Sequence, residues 1–263
     1  MNISFIGCGN MGSAIIRGIL TSPAAEKYNI SVFDSYEPAM DKLAAQFSVE
    51  KCSNAAEAAK KGDVVFLAVK PNVLSSVFAE IDNSLENTLV VSIAAGKSTD
   101  FIASCLTHKC KIIRVMPNIN AVVGEAISAV CKNSEADESD VNTVVELMEC
   151  TGKVLKLDES VFPLFGVLGG CSPAFVYMFI DALARAGVKN GMKKADALSI
   201  AAQSVYGSAK MIMESDKHPW ELVDNVCSPG GTTIEGVLSL KEDGFESAIQ
   251  NAVDAAVEKD SKL

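Results

Sequence analysis

Gly7-Cys8-Gly9-Asn10-Met11-Gly12 follows the apolar run Ile3-Ser4-Phe5-Ile6 and precedes Ile15, Ile16, Ile19 and Leu20 at helical spacing. Strand, glycine turn and helix therefore arrive in that order. In such an order each glycine has a distinct use. Gly7 allows the tight turn, Gly9 lets a pyrophosphate approach the backbone, and Gly12 lets the helix pack closely on the strand. The first turn of such a helix offers N–H groups without intrahelical partners and the positive end of its dipole, which suits phosphate oxygens. A second apolar run, Ile30-Ser31-Val32-Phe33, ends in Asp34. An acidic residue about 20 positions beyond the glycines is what a ribose hydroxyl requires. These stretches predict a dinucleotide-binding strand-helix-strand unit.

Outward from that unit the pattern repeats. Pro38 to Phe47 reads as a helix with Met40, Leu43, Ala44 and Phe47 on one side. Ser53-Asn54 opens a short Ala-rich helix, and Asn54 is either its N-cap or a polar group facing a cofactor. Asp63 to Val69 is apolar enough for a strand buried on both faces and is stopped by Lys70-Pro71. Thr88 to Ile93 and Lys111 to Met116 repeat the signal, ending in Ala94-Ala95-Gly96 and Pro117-Asn118. Ligands of open parallel sheets lie beyond the carboxyl ends of the strands. Ala68, Val69, Lys70, Pro71, Ala95 and Gly96 are therefore candidate cofactor contacts. Ala126 to Cys131 and Lys153 to Leu157 read as further strands, with an acidic helix from Ala136 to Glu149 between them. After about residue 160 only helices follow: Ala174 to Val188, apolar on most faces and expected to be deeply buried, with a second subunit as one candidate cover, then Lys194 to Glu214, Pro219 to Val226 and Gly244 to Lys259. The fold class is α/β, with a doubly wound dinucleotide-binding domain over residues 1–159 and an all-helical domain over 160–263.

Composition narrows the function. A net charge of −10 over 263 residues and a pI near 4.8 leave no basic face for nucleic acid or anionic lipid. No apolar run approaches the roughly 18 residues of a membrane span, and no leader precedes the first strand, so a cytoplasmic protein is expected. The eight cysteines read as reduced thiols. Cys105, His108 and Cys110 lack a second ligand pair at a zinc spacing, and no metal is expected. The C-terminal Ser261-Lys262-Leu263 has the form of a peroxisomal address, and we read the match as coincidental.

One stretch of the helical half stands out. In Cys227-Ser228-Pro229-Gly230-Gly231-Thr232-Thr233-Ile234-Glu235-Gly236, Pro fixes one backbone angle while two glycines allow positive φ, so successive N–H groups can converge. Thr232 and Glu235 match a capping box at a helix start. Two readings stay open here: a seat for a small carboxylate, with the hydroxyls of Ser228, Thr232 and Thr233 around it, or a capped connection between helices.

Taken together, Phe5 to Gly12, Ala68-Val-Lys-Pro71, Arg114-Val-Met-Pro-Asn118 with Val123-Gly124, and Ser228-Pro-Gly-Gly-Thr-Thr-Ile234 resemble the pyrroline-5-carboxylate reductase family along essentially the whole chain. The resemblance implies a Rossmann domain followed by a helical dimerisation domain, with homodimers or rings of dimers. It also implies reduction of the small cyclic imine 1-pyrroline-5-carboxylate to L-proline by NADPH or NADH, the last step of proline biosynthesis. Carried over by position, it assigns cofactor contacts to Ile6, Gly7, Gly9, Asn10, Met11, Gly12, Asn54 and Ala68 to Pro71, and, by a looser spacing to Pro173, to Glu159. The substrate loop falls on Ser228, Pro229, Gly230, Gly231, Thr232 and Thr233, with Thr233 near the ring nitrogen. We read Thr233 or an ordered water as the proton donor, and both His108 and His218 as surface residues. The sequence departs from the family at Gly169-Gly170-Cys171-Ser172-Pro173, where S-G-S-G-P is usual. Asp34 bears on the cofactor: a carboxylate binds ribose hydroxyls and repels a 2′-phosphate, and no Arg follows it closely, so NADH is expected over NADPH. A β-hydroxyacid dehydrogenase-like or imine-reducing relative, and a nucleotide sensor without turnover, are the alternatives.

Overall fold

The computed structural model describes residues 1–260, so the Ser261-Lys262-Leu263 signal lies outside the described residues. Eight strands form one sheet: β1 (Asn2–Ile6), β2 (Asn29–Phe33), β3 (Val49–Lys51), β4 (Val64–Leu67), β5 (Leu89–Ser92), β6 (Lys111–Met116), β7 (Ala126–Lys132) and β8 (Gly152–Lys156). Their order is β3-β2-β1-β4-β5-β6-β7-β8. Every neighbouring pair is parallel except β6 and β7. The chain starts mid-sheet and winds outward on both sides of β1, which opens a crevice beyond the carboxyl ends of β1 and β4. β3 leaves no clear signal in the sequence because it is only three residues long, lies at the sheet edge and stays largely exposed.

Both faces of the sheet are covered, which is why its central strands are apolar without alternation. Ile3, Phe5, Val64, Phe66, Val91 and Ile113 face one layer, formed by α1 (Asn10–Thr21), α2 (Glu37–Ala44) and α6 (Glu138–Glu149). Ile6, Val65, Leu67, Val90 and Ile112 face the other, formed by α3 (Ala55–Lys61), α4 (Leu74–Ile81) and α5 (Thr99–Ser104). Phe5 and Phe66 stack across β1 and β4 with ring centroids 4.6 Å apart. On α2, Met40 and Leu43 are buried as expected, but Ala44 is exposed.

Packing divides the chain into two compact units, with the break between Gly170 and Cys171 rather than at Glu159. Residues 159–170 stay with the sheet because they are fastened to it. Glu159 accepts hydrogen bonds from Thr99 and Arg114, Phe162 is fully buried with Ala129 and Cys131, and Asn118 reaches the Gly169 carbonyl. These residues form α7 (Phe162–Phe165) and a π-helical turn (Gly166–Cys171), which run straight into α8 (Ser172–Lys189). The stretch Glu159–Lys189 is, by length and composition alone, long and apolar enough to cross a membrane, which corrects the expectation that no such run exists. The helical path continues through Pro163, Gly166, Gly169, Gly170 and Pro173.

The second unit contains α8, α9 (Lys194–Glu214), α10 (Pro219–Val226), α11 (Thr232–Glu242) and α12 (Phe245–Asp260). Ala184, Ala197 and Ala201 form its small buried centre between α8 and α9, and Phe179 meets Phe245. Within one chain only Pro173 and Ala184 are buried along α8, which leaves its remaining apolar faces for the second subunit that the sequence reading allowed. Val176, Tyr177, Met178 and Leu183 on α8 and Leu198, Ile200, Met211 and Met213 on α9 are exposed. Apolar surface on this scale marks a place where another protein surface packs.

Candidate active site

The glycine turn is shaped by two different demands. Gly7 adopts φ +107°, and a Cβ there would lie 2.5 Å from the Ala68 carbonyl oxygen. A Cβ at Gly12 would collide with the Gly7 carbonyl oxygen and sit 3.1 Å from the Ala68 side chain. These two glycines are required by the protein itself, which brings the turn flush against the end of β4. Gly9 is different. Its backbone is extended (φ −65°, ψ −172°), any residue could adopt it, and no protein atom lies within 4 Å of a Cβ placed there. The space over Gly9 is clear on the side where α1 begins, and the first-turn N–H groups of Asn10, Met11 and Gly12 open onto it. That is the cradle a pyrophosphate needs, so these residues fit a dinucleotide cofactor.

Asp34 braces this turn from β2. One carboxylate oxygen accepts the Cys8 N–H at 2.6 Å and the other accepts the Tyr36 N–H at 2.8 Å. Cys8 is buried beneath the turn, and burial, with the nearby Asp34 charge, pushes its thiol up to about 12. It acts as a neutral apolar plug. Ile6 accepts the Ala68 N–H at 2.8 Å, joining the ends of β1 and β4. Val69, Lys70 and Pro71 continue from β4, with Lys70 heading the turn Pro71–Val73, and Ala95 and exposed Gly96 (φ +71°) follow β5. The expected cofactor residues on β1, β4 and β5 thus share one rim of the sheet.

Two residues of the expected set have other work. Asn54 is the N-cap of α3: its Oδ1 accepts the Glu57 N–H at 2.8 Å, and its Nδ2 donates to Ser53 Oγ. We expect Asn54→Ala to lower stability by about 1 kcal/mol in urea unfolding while Asn54→Ser restores it, with the NADH dissociation constant unchanged in both. Glu159 takes Thr99 N–H at 2.8 Å, Thr99 Oγ1–H at 2.7 Å and Arg114 Nη1–H at 2.9 Å. Burial pushes its carboxyl up, but the Thr99 and Arg114 hydrogen bonds outweigh this and hold it below the ordinary value. Its carboxylate ties the start of this segment to α5 and β6.

Within the second unit, Ser228 to Thr233 form a tight turn that starts a helix. Gly231 N–H donates to the Ser228 carbonyl at 3.0 Å, and Gly230 adopts φ +67°, the residue type and sign a Pro-Gly turn of this kind needs. Gly231 is the N-cap of α11, with no side-chain cap, and Thr232 is the first helical residue. The capping box expected of Thr232 and Glu235 therefore does not form. A Cβ at Gly231 would run into Ser228 Oγ, so the second glycine lets the serine hydroxyl sit beneath the helix start. The first-turn amides of α11 and the exposed side chains of Ser228, Thr232 and Thr233 make a small polar seat suited to a carboxylate.

The histidines are engaged elsewhere. His108 Nδ1 lies 3.3 Å from Asp82, and His218 Nδ1 accepts the Trp220 N–H at the start of α10. All eight cysteines are free, and no three His, Cys, Asp or Glu side chains gather as a metal site would need among the described residues. Asn118, quoted in the sequence motif without a role, is buried and bonded at both ends of its amide.

Residues 159–263 match the family model for pyrroline-5-carboxylate reductase dimerisation, and residues 2–96 match the model described as NADP oxidoreductase coenzyme F420-dependent. The chain is 45% identical to the pyrroline-5-carboxylate reductase of Escherichia coli over 99% of this chain and 97% of that protein. The structure of a pyrroline-5-carboxylate reductase from Coxiella burnetii superposes with a TM-score of 0.94 at 29% identity, covering 99% of this chain and 97% of that one. The Plasmodium falciparum pyrroline carboxylate reductase with NADP bound gives a TM-score of 0.87 at 32% identity, covering 99% and 97%. The glycine cradle, the Pro-Gly-Gly helix start and this agreement along the whole chain place the protein in the pyrroline-5-carboxylate reductase family.

Proposed function

We propose that this chain reduces 1-pyrroline-5-carboxylate to L-proline with NADH or NADPH, the last step of proline biosynthesis. The observation that carries the reading is the open cradle over Gly9, which nothing in the protein's own packing requires. A bound dihydronicotinamide supplies the hydride that the imine carbon receives. The chain's residues bind and align. Gly9, Asn10, Met11 and Gly12 hold the pyrophosphate, and Ala68 to Pro71, Ala95 and Gly96 line the rim beyond it. The α11 start at Ser228 to Thr233 holds the substrate carboxylate. Thr233, or a water it orders, passes the proton to the ring nitrogen as the carbon–nitrogen double bond becomes single. Alignment of this kind removes about 7–11 kcal/mol of barrier at most. Steady-state oxidation of NADH and NADPH with 1-pyrroline-5-carboxylate, followed at the nicotinamide absorbance, tests the reading. Cofactor binding without turnover would refute it.

Asp34 sets the choice of cofactor. Its charge stays at the end of β2 even though both oxygens accept backbone N–H groups. It therefore disfavours a 2′-phosphate, and kcat/KM is expected to be higher with NADH. Asp34→Asn keeps an acceptor for the turn and removes the charge. It should raise the NADPH-to-NADH ratio of kcat/KM about tenfold, or 1.4 kcal/mol; an unchanged ratio would refute the role. The exposed apolar faces of α8 and α9 support a homodimer, itself able to join into a ring of dimers, which light scattering would size. Eight free thiols suit a reducing compartment, and we place the enzyme in the cytoplasm.

A further inference from the structure

We propose that Asn118 is a positioning residue for hydride transfer: it holds the π-helical turn Gly166–Cys171 on the rim of the sheet and so fixes the path by which the chain leaves the cofactor-binding unit. The inference rests on the reductase reading above. Asn118 directly follows Pro117 at the end of β6 and is 5% exposed. Its Nδ2 donates to the Gly169 carbonyl at 3.0 Å, and its Oδ1 accepts the Ile127 N–H at 3.3 Å. One partner requires a donor and the other an acceptor. A neutral amide satisfies both at once, whatever the pH.

The turn itself is cut to fit that rim. A Cβ at Gly166 would sit 3.2 Å from Met116 Sδ at the end of β6, and one at Gly169 would sit 3.2 Å from the Phe165 ring and 3.4 Å from Ile127 at the start of β7. Glycine at both positions lets the turn lie close on the two strand ends. At the other end of the same segment, Arg114 holds Glu159 at 2.9 Å and stacks over the Phe162 ring at 4.6 Å. The motif Arg114 to Asn118 thus fastens residues 159–170 at both ends. π-Helical turns are rare and cluster at functional sites, and this one opens directly into α8. The cofactor residues lie before it in the chain and the substrate loop after it. A displacement of about 1 Å between reacting groups costs on the order of 100-fold in rate.

The test uses the full-length enzyme, N118D and G169A, with wild type alongside. Three quantities are read: the NADH dissociation constant by fluorescence, the single-turnover rate of hydride transfer at the nicotinamide absorbance, and the thermal midpoint. An ionised Asp at this position faces a carbonyl oxygen and cannot donate; a protonated one can. Its burial raises the pH at which it ionises. The N118D rate, divided by the wild-type rate at each pH, is expected to be about 100-fold low at the alkaline end and to recover as pH falls, with NADH affinity within about twofold of wild type. G169A, whose methyl group lifts the turn from Phe165 and Ile127, should be slow at every pH. A role confined to stability would lower the thermal midpoint without a pH-dependent rate ratio, and that result overturns the proposal. So does hydride transfer within twofold of wild type in both variants. If N118D does not fold, G169A decides alone by the split between rate and NADH affinity. Wild type without turnover overturns the reductase reading and this proposal with it, an outcome separated from the others by the wild-type trace.

Discussion

Gly9→Val is expected to abolish productive cofactor binding in a protein that folds normally. The backbone at Gly9 lies in the extended region that any residue adopts, and apart from its chain neighbours no protein atom lies within 4 Å of a Cβ placed there. Gly9 caps α1 without a side-chain hydrogen bond, so the folding cost of replacing it is about 1 kcal/mol or less. The valine methyl groups instead fill the space above the first-turn amides of α1, where the pyrophosphate must sit. The dissociation constants of NADH and NADPH should rise together, and kcat/KM should fall by on the order of 100-fold or more. Gly7→Ala provides the contrast. With φ +107° and the Ala68 carbonyl in the way, that variant should lose thermal stability whether or not cofactor is present. Calorimetric titration and thermal melts of the two variants separate a glycine kept for a ligand from one kept for the fold. Tight cofactor binding by Gly9→Val would mean the phosphates lie elsewhere.

Glu159→Ala should cost about 3–5 kcal/mol of stability in urea unfolding. The Arg114 side chain is only 8% exposed, Glu159 is its ion-pair partner at 2.9 Å, and its Nε has no hydrogen-bond partner. Removing Glu159 leaves that charge in a low-dielectric place and strips Thr99 of both its bonds. The double replacement Arg114→Met with Glu159→Leu should be much closer to wild type, because neither charge then has to be desolvated. The pH dependence has a defined sign. The Glu159 carboxyl is held below 4.5 in the folded protein, so its contribution is complete above 4.5 and fades as pH falls through the lowered value. The gap between wild type and Glu159→Ala should therefore narrow in acid. NADH affinity of the double variant is expected to match wild type, since the Glu159 oxygens are already taken by Thr99 and Arg114.

Much of the cofactor half was legible because its signals are local. A strand buried on both faces must be apolar throughout, and β4 and β5 are. A helix start needs a cap, and Asn54 caps α3, one of the two roles its position before the Ala-rich run allowed. The helical half was legible as helices, with α9 running from Lys194 to Glu214 as read from its pattern. What the sequence left open was how much of α8 one chain covers by itself: its apolar residues include Val176, Tyr177, Met178 and Leu183, which a single chain leaves exposed. The loop Ser228 to Thr233 was visible through its Pro-Gly-Gly run. Whether Thr232 or Gly231 would cap α11 was not, because it depends on where Ser228 Oγ lies.

The sequence by itself determined the order of strand, glycine turn and helix, the apolar central strands of the sheet and the switch to helices, because each follows from periodicity, burial and backbone freedom within a few residues. Only the tertiary structure decided where the first compact unit ends and which partners Glu159 and Asn118 find. Asp34 and Cys8, Arg114 and Glu159, and Asn118 and Gly169 meet across 26, 45 and 51 positions of chain. Pairings at such separation carry no periodic trace. They exist only once the sheet has brought the ends of its strands to one rim, where a buried donor must find an acceptor.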